Sequence, residues 1–175
     1  MALFDVSGEV ATNPRVHNAI ILANIVLHHD SFQWRVAATP SFFNTNESGV
    51  DVIHRILDKS VDPAAKLVTM SKWKRIRPWY RNTTAETNGS IIELNPSFYM
   101  RSYSAIVNTL VHEWLHAIGY SHVWNNPSSH PIILKSVNYV VGKIAEEVAH
   151  ELISGKLTSH TFDTLIESGA FKYDN

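Results

Sequence analysis

The chain reads as an α+β protein, and three observations predict that class. Apolar residues recur at helical spacing in three long segments, 14–28, 104–118 and 137–152. Shorter runs at 32–38, 66–76 and 90–96 carry the residue types or the period-two alternation of half-buried strands. Length and composition, 175 residues with 45% hydrophobic and 18% charged, suit one globular domain over 1–175. A domain of that size buries roughly 70% of the surface its unfolded chain exposes.

In chain order, Phe4, Val6 and Val10 suit a short edge strand. Asn13-Pro14 then starts a helix, with Asn as N-cap and Pro, whose missing N–H costs nothing there, at the first helical position. Val16, Ala19, Ile20, Ala23, Val26 and Leu27 place its apolar stripe, so residues 14–28 are expected to cover a sheet. His28, His29 and Asp30 end that helix and are read as dipole-compatible groups rather than a second metal site. Phe32, Trp34, Val36 and Ala38 alternate with polar neighbours and predict a strand. Val50, Ile53, Ile56 and Leu57 predict a short helix closed by Asp62-Pro63, and a second strand is expected over 66–76. Residues 83–89 read as a polar turn region, and 90–96 as a short strand stopped by Asn95-Pro96. Helical periodicity runs from Ser104 to Ile118 with a broad apolar face, and Trp114 is assigned to packing. Val137, Val140, Val141, Ile144, Val148 and Leu152 predict a long helix capped at Gly155, and a last helix is expected over 159–169 with Phe162, Leu165 and Ile166 inward.

Composition narrows the chemistry. There is no cysteine, which excludes disulfides and thiolate ligands and leaves His, carboxylate, Tyr or water to hold any metal. The first residues lack a basic region followed by a long apolar run, so the chain is expected to be made without a classical export signal and to be cytoplasmic as made. No stretch reaches the roughly 20 apolar residues a membrane helix needs. From Lys66 to Arg81 there are six basic residues and no acidic one, interleaved with Trp73, Trp79 and Tyr80. Such a mixture suits anions or nucleobases, but it is read here as a solvated strand with its aromatics turned to the core.

The chemistry concentrates in His112-Glu-Trp-Leu-His-Ala-Ile-Gly-Tyr-Ser-His122. Histidines four apart on a helix lie on one face, one turn apart, so His112 and His116 reach the same ion. Glu113 projects roughly 100° around the helix from His112, where it meets a metal-held water without displacing it. Gly119 accepts a left-handed turn that ends the helix and brings back His122 as third ligand. Three imidazoles leave a fourth position open, the mark of a catalytic zinc site rather than a closed structural one. One Zn2+ is therefore the expected cofactor.

These residues resemble the HExxHxxGxxH motif of the metzincin branch of zinc metallopeptidases. The match, in His112, Glu113, His116, Gly119 and His122, is complete over eleven of the 175 residues. The resemblance implies a zincin-like fold: a small mixed, twisted sheet with a backing helix, an edge strand that pairs with substrate, a metal-bearing helix and a C-terminal helix. On that pattern Ile91 to Asn95 is the edge strand along which a peptide or protein substrate lies extended. The family also places a methionine in a turn beneath the metal, and some members add a tyrosine two residues later. Met1, Met70 and Met100 all precede the motif, so that methionine is missing. Lys135-Ser-Val-Asn-Tyr139 resembles the turn, with Val137 in the methionine place and Tyr139 in the tyrosine place. The resemblance thus implies a zinc-dependent endopeptidase with Glu113 as base and Tyr139 beside the reacting group.

Two other functions compete. Gly119-Tyr-Ser-His122 echoes the ending of the YbeY-type single-zinc endoribonuclease motif, and the basic aromatic segment suits RNA; that motif, however, lacks the glutamate that peptide hydrolysis needs. A non-catalytic zinc-binding module recognising peptide or glycan is the other. Glu113 favours a peptide substrate over nucleic acid.

Overall fold

A computed structural model describes residues 4–6, 10, 13–58, 65–75, 85–121 and 134–171. The fold is mixed α+β. In chain order the described elements are β1 (Phe4–Val6), α1 (Pro14–His28), α2 (Asp30–Ala37), α3 (Gly49–Leu57), β2 (Ala65–Thr69), α4 (Lys72–Arg75), β3 (Ala85–Asn88), β4 (Ile91–Leu94), a 3-10 turn (Pro96–Met100), α5 (Tyr103–Ala117), α6 (Val137–Ile153) and α7 (His160–Glu167). No helix among the described residues is long and apolar enough to cross a membrane.

The sheet is four-stranded in the order β1-β2-β4-β3. β1, β2 and β4 are parallel neighbours, and β3 is antiparallel to β4. The β3–β4 hairpin closes through Gly89 and Ser90, with Gly89 at φ 60°, a conformation a side chain disfavours. Leu67, Ile92 and Leu94 are buried. The helix α5 packs against β3 and β4 on one side and against α6 and α1 on the other, so it runs through the middle of the core.

Local chemistry explains the long helices. The Asn13 side chain accepts from the N–H groups of Arg15 and Val16 at 3.0 and 3.2 Å, with Pro14 next, as expected. Ser102 caps α5 by accepting from Ala105 N–H. Ser48 and Asp51 form a reciprocal capping box at the start of α3. Gly155, at φ 71°, follows the end of α6 as the sequence suggests.

Four expectations need correcting. The segment 32–38 is not a strand but lies almost wholly in α2, because Phe32 and Val36, four apart, are both buried while Trp34 between them is 71% exposed. Arg35 of the same helix reaches across to Glu151 of α6 at 2.7 Å. The second strand is shorter than 66–76: it ends at Thr69, and Lys72–Arg75 form a single helical turn; the remainder of the basic aromatic segment, residues 76–81, lies outside the described residues. Finally, Ile91 to Asn95 is not an edge strand. β4 has β2 on one side and β3 on the other, so its backbone groups are used in both directions; the described edge strands are β1 and β3, the latter within what reads in the sequence as a polar turn. Glu86 and Glu93 stand directly opposite across this hairpin, and Lys74 of α4 relieves the repulsion by bonding both, at 3.1 and 3.0 Å. At the C-terminus α7 buries Phe162 and half-buries Leu165, but Ile166 is exposed.

Candidate functional site

His112 and His116 stand one turn apart on α5 with ring centroids 5.1 Å apart and planes at 71°. Both are half-buried. The His116 ring is fixed by its Nδ1, 2.6 Å from the Tyr120 carbonyl oxygen. A carbonyl only accepts, so Nδ1 carries the hydrogen and, in the neutral ring, Nε2 carries the lone pair. This is the outer-shell arrangement that fixes tautomer and ring orientation in metal-ligating histidines. Burial holds the His116 imidazole below its ordinary pKa, with the Tyr120 bond opposing, which favours the neutral form metals require.

That carbonyl is placed by the helix end. Gly119 lies at φ 104°, its N–H donates to His116 O, and Tyr120 N–H donates to Leu115 O, both at 3.0 Å. These two bonds are those of a Schellman cap, which turns the chain back over the last turn of α5. The Tyr120 hydroxyl donates to the Glu47 carboxylate, whose other oxygen pairs with Arg55, and the Arg55 guanidinium lies 5.1 Å from the Tyr120 ring centre. Burial and Glu47 raise the Tyr120 phenol well above its ordinary pKa, so it stays a hydrogen-bond donor.

The Glu113 side chain reaches the sheet. It is buried, and Thr87 of β3 donates its hydroxyl to Glu113 Oε2 at 2.6 Å, with the Glu113 backbone oxygen 2.9 Å away. Thr87 lies on the inner face of the edge strand, opposite Ile92. Burial pushes the Glu113 carboxyl above its ordinary pKa; the Thr87 bond opposes this and the nearby Glu86 charge adds to it. A buried carboxyl made more basic and bonded to an edge strand of the described sheet is suited to proton transfer.

Tyr139, in the first turn of α6, is 38% exposed, and its ring meets that of His112 edge-on with centroids 4.7 Å apart. It is therefore not a core residue of the helix. Val137 is buried at the first position of α6. His122 lies outside the described residues, one position beyond Ser121, and among the described residues no third His, Cys, Asp or Glu joins the pair into a metal-holding group. The described donors, two imidazoles on one helical face with the tautomer of one set, are of the kind that zinc takes. Trp114, 4% exposed, packs as expected.

The other candidates assign differently. His29 caps α2 by accepting from Ser31 N–H through Nδ1, and its Nε2 lies 3.2 Å from Thr158 O, so both ring nitrogens are engaged structurally. The basic segment contributes Lys74 to the two glutamates of the hairpin rather than to an open surface. Sequence reasoning missed Thr87, Asn44 and Asn138. Only Asn138 left a signal: a polar residue on the apolar stripe of α6 must find partners, and it is fully buried. Comparison of the chain with protein-family models, with curated proteins and with solved structures finds no match.

Proposed function

We propose that the chain is a zinc-dependent peptidase with a metzincin-like site. The observation that carries this reading is the placement of Glu113, bonded to Thr87 of an edge strand, one residue after His112 and three before His116 on the same helix. His112, His116 and His122 would hold the ion. Zinc, when bound, supplies a Lewis acid and makes water a nucleophile near neutral pH.

The chain's own residues account for the remaining steps. Glu113 takes the proton of the attacking water and passes it to the leaving amine. The Tyr139 phenol, beside the His112 ring, donates to the oxygen that becomes negative as the carbonyl is attacked. An extended peptide adds to β3 as a further strand, its backbone bonded to the edge at Ala85–Asn88 and its side chains alternating between the cleft and solvent. This edge is the one closest to Glu113, since Thr87 belongs to it.

The test is metal content together with a peptide-library cleavage profile for wild type and Glu113→Gln. Stoichiometric zinc in both proteins is expected, with hydrolysis reduced roughly 100-fold or more in the variant, the scale at which general acid–base groups contribute. Near-normal turnover by purified Glu113→Gln would remove the glutamate from the reaction. Cleavage of single-stranded RNA but not of casein by the wild type would replace the peptidase with a nuclease.

A further inference from the structure

We infer that Asn138 and Asn44 are positioning residues of the metal centre, their paired carboxamides holding the end of α5 against the start of α6. The inference rests on the zinc reading above. Asn138 is 0% exposed, in the first turn of α6. Its Nδ2 lies 3.3 Å from two carbonyl oxygens, those of His112 and Tyr120. An amide nitrogen has two hydrogens, and these are the two places they go. The Tyr120 carbonyl is the one that accepts from His116 Nδ1, so Asn138 and the His116 ring share one oxygen, each using one of its lone pairs.

Asn44, from the loop between α2 and α3, completes the clamp. Its Nδ2 donates to Ser121 O at 3.0 Å and approaches Asn138 Oδ1 at 3.4 Å, while its Oδ1 accepts from Val137 N–H at 2.8 Å. Four segments meet at these two side chains: the α2–α3 loop, the helix that carries His112, the turn after it, and the start of α6. Gly119 frees the chain to leave α5 in several directions, since glycine tolerates left-handed backbone at little cost. The bonds to Tyr120 O and Ser121 O select one direction, immediately before His122. Tyr139 follows Asn138 directly, so the same clamp sets where its ring stands against His112. The carboxamide pair thus orients the His116 ring through Tyr120 O, fixes the turn as far as Ser121 and places the tyrosine.

The test measures zinc affinity by competition with a chromophoric chelator, and the visible spectrum of the cobalt(II)-substituted protein, in Asn138→Ala and Asn44→Ala. Both variants are expected to bind zinc more weakly by roughly 10- to 100-fold, the range for outer-shell partners of metal ligands, with altered cobalt band positions and intensities. Ile106→Val, a buried change on α5 away from the clamp, serves as the control for lost stability alone and should leave affinity and spectrum unchanged. Should Asn138→Ala fail to fold, the half-buried Asn44 decides the matter by itself. Affinity within twofold of wild type, with an unchanged cobalt spectrum, in the folded variants would overturn the assignment. Failure of the wild type to take up zinc would instead overturn the zinc reading, and the positioning role with it.

Discussion

Burial changes the chemistry of Glu113 from that of a carboxyl in water. Its carboxyl is buried with one hydroxyl donor, so the folded pKa lies above the unfolded one. A raised pKa means that stability contributed by this group is full below the unfolded carboxylate pKa and is lost as pH rises through the folded value. In metal-free protein, Glu113→Gln should therefore melt at a higher temperature than wild type at pH 7.5, with the gap closing towards pH 4. A scan of melting temperature against pH for the two proteins checks this; a variant less stable at pH 7.5 would contradict the burial argument. His116 has the opposite sign. Its folded pKa is lowered, so its contribution is present above the unfolded imidazole pKa and is lost as pH falls through the folded value. Protons and metal also compete for the same nitrogen, and zinc occupancy should drop through and below about pH 6, the range in which imidazole titrates. Equilibrium dialysis against zinc at stepped pH measures it, and stoichiometric zinc at much lower pH would mean that the ligand set is wrong.

At the scale of elements, the helices with caps and a continuous apolar stripe were legible. Asn13-Pro14 and the 3.6-residue spacing set α1, and the same spacing set α5 and α6. The elements that misled are those whose partners decide them. Phe32, Trp34 and Val36 satisfy a period of two as well as an i, i+4 pair, and α2 resolves the ambiguity by burying Phe32 and Val36 and leaving Trp34 in water. Ala85–Asn88 has no apolar alternation to announce a strand, since its inward residues are alanine and a threonine committed to Glu113. Packing between α2 and α3 carries a prediction of its own. A Cβ on Gly49 would lie 2.1 Å from Val36 O and 2.8 Å from Ala37 O, backbone atoms that cannot swing aside. Gly49→Ala is expected to destabilise by about 1–3 kcal/mol or more, the cost of overpacking a tight contact. Urea unfolding measures it, and a neutral result would show that α2 and α3 separate freely.

Across the whole molecule, α5 is both the central core element and the carrier of the candidate ligands. Its inward residues Ile106, Val107, Leu110, Val111 and Leu115 are fully buried, while His112 and His116 sit half-buried beside them. The described buried residues form one hydrophobic cluster spanning the sheet and the helices. Leu110→Ala should cost about 2–5 kcal/mol in global unfolding, since the void it leaves is bounded by packed elements. The same variant should keep zinc affinity close to wild type, because the bonds that orient the His116 ring run through Tyr120 and Asn138 instead. A large affinity loss in Leu110→Ala would mean that core packing, rather than the polar clamp, positions the ligands.

Residue spacing along one helix placed His112 and His116 side by side, set Glu113 around from them and ended the helix at Gly119, because α-helical geometry and glycine's backbone freedom are local properties. The contacts that surround those residues are between segments far apart in the chain. Thr87 bonds to Glu113, Asn44 and Asn138 hold the turn, Tyr139 stands against His112, and β3 rather than β4 forms the sheet edge. Such pairings depend on which elements pack together and in what register, and that only the tertiary structure decides.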